Sequence, residues 1–172
     1  MAPTPRISRD LLIRGVAYRI QEEVHRGLGK SHRRQLQRLA ETLRDGGAIG
    51  KEKRLIVAAL VPKANRDPVL IKAVVRAHQW FEMLKCRAVE SITEIAKAEG
   101  LPRTYVGSII PFALLAPDIT EAILEGTQPI DLSLDRLINA TLPIDWAEQR
   151  AVLGHFCYSP WPHFSSWLKL SF

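Results

Sequence analysis

Four neighbouring residues could recognise the edge of a nucleic-acid base if one helix carried them on one face: Arg103, Thr104, Gly107 and Ser108. The Arg103 guanidinium can donate two hydrogen bonds to a guanine edge, and the Thr104 hydroxyl can bind a phosphate or contact a thymine methyl. Gly107 and Ser108 offer few groups that read a base. The sequence therefore predicts DNA recognition centred on Arg103, provided that the surrounding elements present this helix to a groove.

The surrounding residues fit the pattern of a DNA-binding helix-turn-helix. Ala96 is at the fifth position of this pattern and Gly100 at the ninth, while Val106 and Ile109 are at the fifteenth and eighteenth. A small fifth residue lets the two helices cross closely, and glycine adopts the positive φ of the turn at least cost. The second helix of such a motif enters the major groove. Two short helices around a glycine also occur in helical domains without a nucleic-acid role, so that alternative stays open.

Residues at the ends of the two helices support the same interpretation. Ser91 followed by Glu94 predicts a capping box at the start of the first helix. Pro102 stands where the second helix begins, a place that needs no amide hydrogen. Pro111 stands at its end, where proline removes a helical hydrogen bond and bends or ends the helix.

Charge is distributed unevenly along the chain. Residues 1–66 hold fifteen Lys and Arg against six Asp and Glu, a net +9, and residues 67–172 hold nine against twelve, a net −3. A basic N-terminal part could bind phosphates without reading sequence, and Arg33, Arg34 and Arg38 are the candidate contacts. A run of charges is also often only the solvated face of a helix.

The N-terminal part is predicted to form a basic helical hairpin. Ser8 caps the first helix, which Gly27 and Gly29 stop, and a second helix runs from Ser31 to Gly46. The apolar positions of the first helix are Leu11, Leu12, Val16, Tyr18, Ile20 and Val24, and the outer basic positions of the pair are Arg14, Arg19, Arg26, Lys30, Arg33, Arg34 and Arg38.

The rest of the chain is predicted to be a string of helices, which makes the fold class all-α. Pro68 opens a helix with an apolar stripe that includes Trp80, and Asp118, Ser133 and Asp145 cap shorter helices further on. Residues 55–61 form a short apolar run that could be an edge strand or a buried extended segment, and we interpret the region as a linker with a possible strand. We expect a basic hairpin and linker over residues 1–62, a helix-turn-helix domain of short helices over 63–154, and an aromatic-rich tail over 155–172.

Composition argues against several other classes of protein. We expect a cytoplasmic protein because no apolar run approaches the roughly 20 residues of a membrane span and no signal-peptide segment opens the chain. Cys86 and Cys157 lie too far apart in sequence to indicate a zinc site or a disulfide framework. We expect no enzyme, cofactor or metal, since no catalytic constellation stands out. The five histidines, at positions 25, 32, 78, 155 and 163, are interpreted as solvent or helix-surface residues.

The tail from His155 to Phe172 contains six of the twelve aromatic residues and no acid. It is either an arm that docks on this domain or on a partner, or a tail that was never selected to fold with the rest. Exposed aromatic residues at this density favour docking.

Residues 70–154 resemble the C-terminal region of prophage-type serine recombinases of the resolvase/invertase superfamily. The resemblance rests on Arg76-Ala77 with Trp80, on the SITEIA helix, on LLAPDI, and on LPIDWAEQR at residues 142–150. It implies a helix-turn-helix and DNA recombination as the biological context. The motif is also similar to that of ParB-type partition proteins, and the block ISRDLLIRGVAYRIQEEVHRGLGKSHRRQLQRLA resembles a short prophage-associated domain of uncharacterised function.

The chain departs from the recombinase pattern in two ways. The pattern has Arg where Ser108 and Pro111 stand here, and the catalytic domain with its serine nucleophile has no counterpart, so strand cleavage does not carry over. We therefore expect a non-catalytic DNA-binding protein, an accessory or regulatory factor of a prophage recombination system. Its partners would be double-stranded DNA and either a recombinase or a second copy of the chain. The alternative is a protein-interaction module or a decayed recombinase fragment.

Overall fold

The computed structural model describes residues 7–44 and 67–153. These two ranges are helical and contain no strand, which confirms the all-α class. The predicted run at residues 55–61, the boundary between residues 62 and 63, and the tail over 155–172 lie outside the described residues. The helices are α1 (Arg9–His25), α2 (Lys30–Arg44), α3 (Pro68–Lys85), α4 (Ile92–Glu99), α5 (Arg103–Ile109), a 3-10 helix (Ile110–Leu114), α6 (Pro117–Glu125), α7 (Leu134–Asn139) and α8 (Trp146–Leu153).

Helix α3 is the central element of the structure. It contacts α2, α5, the 3-10 helix, α6 and α7, so that its buried surface is wider than the single stripe that the sequence predicts. Asp67 caps its start, because the Asp67 carboxylate accepts hydrogen bonds from the amides of Val69 at 2.9 Å and Leu70 at 3.2 Å. Its buried residues are Leu70, Ile71, Ala73, Val74, Val75, Ala77, Trp80 and Leu84.

Helices α1 and α2, the segment that the sequence predicts as a hairpin, share one hydrophobic core with α3. Ser8 caps α1 as predicted, accepting from the amide of Leu11 at 3.3 Å. The predicted apolar positions of α1 do not share one buried side. Leu11 is buried and Tyr18 packs against the core, whereas the other apolar positions face outward. Successive helical residues are separated by about 100°, so Leu12 and Val16 lie away from the side that carries Leu11 and Tyr18.

Polar contacts join α1 to the segment before α8. Arg14 was expected at an outer position, but its guanidinium is largely covered and donates to the backbone oxygen of Leu142 at 2.7 Å. The Gln21 amide donates to the oxygen of Ile144 at 3.1 Å and accepts from the amide of Trp146 at 2.8 Å. The hairpin is therefore held to the rest of the chain by hydrogen bonds as well as by apolar packing.

The short helices begin mostly where the sequence predicts. Ser133 accepts from the Arg136 amide at 3.3 Å, and Asp145 caps α8 through the amides of Ala147 and Glu148. Asp118 is an exception, since α6 already begins at Pro117 and has no side-chain cap.

The Asp118 carboxylate instead binds Arg150 of α8. Its two oxygens accept from the guanidinium at 2.7 and 2.8 Å. Asp118 lies one residue inside the helix, where its charge still favours the N-terminal end of α6 while its side chain is directed to a distant partner.

One buried side-chain amide bonds to three backbone groups. Gln149 is only 3% exposed, and its oxygen accepts from the amide of Ala116 at 2.8 Å. Its nitrogen donates to the carbonyls of Pro143 at 3.0 Å and Leu114 at 3.3 Å. This side chain provides hydrogen-bond partners for buried backbone groups where the 3-10 helix ends and α6 begins.

Within the described residues, no single helix is both long and apolar enough to cross a membrane. One pair of helical segments, Arg103–Leu114 and Pro117–Glu125, meets the two criteria together, with a bend of 106° between its halves.

We predict that Gln149→Leu destabilises the fold. Leucine has a similar volume but leaves the Ala116 amide and two carbonyls without partners in a dry environment, at a cost of about 1–3 kcal/mol in the free energy of unfolding. Urea denaturation followed by circular dichroism measures this difference. Gln37→Leu on the exposed side of α2 is the control, and equal unfolding midpoints for the two variants would contradict the prediction.

Candidate nucleic-acid interface

The turn between α4 and α5 has the predicted backbone geometry. Gly100 has φ 63° and ψ 32°, in the left-handed region that glycine tolerates best. The amide of Leu101 donates to the carbonyl of Ala96 at 2.9 Å, and the Gly100 amide to that of Lys97 at 3.3 Å. This is the Schellman pattern, which satisfies the last carbonyls of α4 and starts the chain toward α5.

The start of α4 differs from a standard capping box by one residue. The Ser91 hydroxyl accepts from the Glu94 amide at 3.3 Å, as predicted. The Glu94 carboxylate, however, accepts from the amide of Glu90 at 2.8 Å rather than from that of Ser91. Both bonds still fix the entry of the chain into α4, because one satisfies an amide of the first turn and the other an amide ahead of it.

Apolar packing sets the crossing of α4 and α5. Ala96 is 5% exposed at the contact, and Val106 and Ile109 on α5 are fully buried. Helix α5 ends at Ile109, and the chain continues as a 3-10 helix that contains Pro111, as the proline predicts. The motif positions that the sequence identified are therefore structural.

A polar contact that the sequence analysis missed ties α4 to α3. The Glu99 carboxylate accepts from the Trp80 indole at 3.3 Å and from the Arg76 guanidinium at 3.4 Å. Arg76 also lies over the Trp80 ring, 5.8 Å from its centre. The only signal in the sequence is the spacing of Arg76 and Trp80, which are four residues apart and thus neighbours on a helix.

Lys72 extends this charged cluster along α3. Partial burial, together with the positive charge of Arg76, lowers the pKa of Lys72, and the negative charge of Glu99 opposes the shift. The turn between α4 and α5 is therefore flanked by two cations of α3, Lys72 and Arg76. Arg76 is already paired with Glu99.

The four residues predicted to face DNA do share one side of α5. Arg103, Thr104 and Ser108 are exposed. Gly107 is half-buried, and apart from the helix's own backbone no atom lies within 4 Å of the position that a Cβ would occupy there. The Ser108 hydroxyl donates to the carbonyl of Thr104 at 3.1 Å, so it is engaged within the helix. Arg103 is the longest donor on this face.

The candidate phosphate contacts on α2 differ from one another. Arg33, Arg34 and Arg38 are all exposed, as predicted. Arg33 donates to the Glu22 carboxylate at 2.5 Å, whereas Arg34 and Arg38 form no ion pair within the described residues. Over those same residues, no hydrogen bond or ion pair links the α2 arginines to the exposed face of α5.

The two parts of the described chain have opposite charge. Residues 7–44 hold nine Lys and Arg against four Asp and Glu, a net +5, and residues 67–153 hold eight against twelve, a net −4. A polyanion would therefore be attracted to the hairpin and not to the helix-turn-helix part as a whole.

Two histidines are not the surface residues that we expected. The Nε2 atom of His78 is buried without a hydrogen-bond partner, and burial lowers the pKa of His78 to about 4. His32 lies between two carboxylates of α6, at 3.1 Å from Glu121 and 3.0 Å from Glu125. Within the ranges 7–44 and 67–153, no three His, Cys, Asp or Glu residues cluster as metal ligands would.

No match to this chain was found among protein-family models, curated proteins or solved structures.

Gly100 and Gly107 give a matched test of the motif geometry. We expect Gly100→Ala to destabilise the protein by roughly 1 kcal/mol, because alanine must adopt a positive φ there. Gly107→Ala should stabilise it by about 0.5–1 kcal/mol, since it adds a good helix former where space is open. Thermal melts of the two variants measure the difference, and changes of the same sign would contradict a left-handed turn at Gly100.

Proposed function

We propose that this protein binds double-stranded DNA without catalysis, as a cytoplasmic accessory or regulatory factor of a prophage recombination system. The observation that carries the proposal is the exposed N-terminal half of α5, which follows a left-handed glycine turn and rests on buried Val106 and Ile109. Helix-turn-helix proteins use this part of the second helix to contact base edges in the major groove.

Base recognition rests on few groups in this proposal. Arg103 can bind a guanine edge through two hydrogen bonds, and Thr104 can contact a phosphate or a thymine methyl. Ser108 contributes little, because its hydroxyl already bonds to the backbone of the same helix. The expected sequence preference is accordingly a short one, dominated by a single guanine.

Affinity in this proposal comes mainly from the hairpin. The net −4 of residues 67–153 opposes binding to a polyanion, while the net +5 of residues 7–44 favours it. Arg34 and Arg38 are better candidates than Arg33, because the Arg33 guanidinium is already paired with Glu22. Phosphate contacts of this kind add affinity without sequence information.

A specific observation favours the second candidate function, a protein-interaction module or a recombinase fragment that has lost its DNA face. Ser108 and Pro111 replace two arginines of the pattern that the chain resembles, and α1 exposes five aliphatic side chains. Exposed apolar surface of this extent is typical of protein interfaces. DNA-binding measurements separate the two functions.

We predict that the double variant Arg34→Gln/Arg38→Gln weakens binding to all duplexes alike. Each lost phosphate contact should lower the slope of log K against log salt concentration by about 0.9. Fluorescence anisotropy with a random duplex at several salt concentrations measures the slope. Arg33→Gln is the matched control and should change it less, and a double variant with an unchanged slope would exclude these arginines as contacts.

Arg103→Ala tests the recognition helix. If Arg103 reads a guanine, the variant should lose about 5- to 150-fold in discrimination between the best site and random DNA, with non-specific affinity nearly retained. Site selection from a random library followed by competition binding provides the measurement. Lys97→Ala removes the same charge from α4 and should leave the preference intact. An unmodified protein without any site preference would instead favour the interaction module.

A further inference from the structure

One side of α1 is an apolar surface that borders an open groove formed with α2 and α3. Leu12, Ile13, Val16, Ile20 and Val24 are 52%, 48%, 61%, 58% and 70% exposed. They account for five of the nine large aliphatic residues that are exposed in the described part of the chain. A contiguous group of exposed aliphatic side chains is typical of protein interfaces, so this surface points to one.

Two unpaired charges frame this surface. Arg9, the first residue of α1, and Glu23, two residues before its end, are both exposed, and neither forms an ion pair within residues 7–44 or 67–153. Fourteen positions separate them, about 21 Å along a helix at 1.5 Å per residue. Both lie on the same side of α1 as the aliphatic residues, because their angular positions fall between those of Leu12 and Ile20.

We propose that two copies of this chain pair through their α1 helices in an antiparallel arrangement with its two-fold axis at Val16. This register places Leu12 opposite Ile20 of the second copy, and Arg9 opposite Glu23, twice by symmetry. A parallel arrangement would instead place Arg9 against Arg9 and Glu23 against Glu23. The distribution of charge therefore selects both a second copy as the partner and the direction of its helix.

The size of the surface sets the expected strength of association. Helix α1 has 17 residues and is about 25 Å long, so a single helix pair lies at the lower end of stable protein interfaces. A dissociation constant of about 1–100 µM is expected for an interface of this class. The inference rests on α1 alone and does not depend on DNA binding.

Sedimentation equilibrium of the full chain tests the proposal. Protein concentrations from about 1 to 300 µM cover the expected dissociation constant. The mass should rise with concentration from 19.4 kDa toward twice that value. Val16→Asp places two like charges on the two-fold axis and should abolish the dimer. Ile130→Asp, at the 92% exposed Ile130, is the matched control and should leave the dimer unchanged.

Charge reversal tests the antiparallel register. Arg9→Glu and Glu23→Arg should each weaken association roughly tenfold, and the double variant should recover to within about threefold of the original protein. Circular dichroism melts establish that each variant is folded. A monomer at all concentrations, a dimer insensitive to Val16→Asp, or a double variant no better than the single ones would each overturn the proposal.

Discussion

The burial of α3 is the constraint on which the rest of the structure depends. Trp80 and Leu84 are buried, as are six further residues over the length of this helix, and no single neighbour could cover them all. Helix α2 covers one part, the 3-10 helix and α6 another, and α5 a third. Burial of apolar area on this scale is the main favourable term in folding, so the arrangement of the other helices follows from the need to enclose α3.

The candidate interface is a product of this enclosure. Val106 and Ile109 attach α5 to the core on one side, which leaves Arg103, Thr104 and Ser108 on the other. Two further features limit the movement of α5. The Gly100 turn sets the direction of the chain before it, and the Glu99 carboxylate accepts a hydrogen bond from Trp80 of α3. Functional side chains on a rigid element lose less entropy on binding, so these supports favour recognition even though the face has few donors.

The hairpin combines two properties that the helix-turn-helix part lacks. It has the net positive charge of the described chain, and its first helix has the largest exposed apolar surface. Arg14 and Gln21 tie α1 to the segment around Leu142, so neither property belongs to an independent unit. The proposed DNA contacts and the proposed pairing of two copies are compatible because they use different helices, α2 and α1.

The sequence alone determined the features that depend on residues a few positions apart. Helix ends at Ser8, Ser133 and Asp145, and the left-handed turn at Gly100, involve hydrogen bonds or backbone angles within one turn of helix. Local chemistry of this kind has few alternatives, because an orphan amide at a helix start needs an acceptor close in sequence. The helical class and the exposed face of α5 followed from the same short-range rules.

The tertiary structure decided which contacts a side chain makes with residues that are distant in sequence. The periodicity of α1 fits burial on either side, and only packing against the shared core, chiefly at the 3-10 helix, placed Leu11 inside and left Val16 exposed. Asp118 could have capped its own helix, but Arg150 lies within reach in the fold. The Nε2 atom of His78 is enclosed because α3 is covered on several sides at once. Such outcomes depend on contacts between residues far apart in the chain. The spacing of residues along a sequence does not give the distance in space between two elements that pack together.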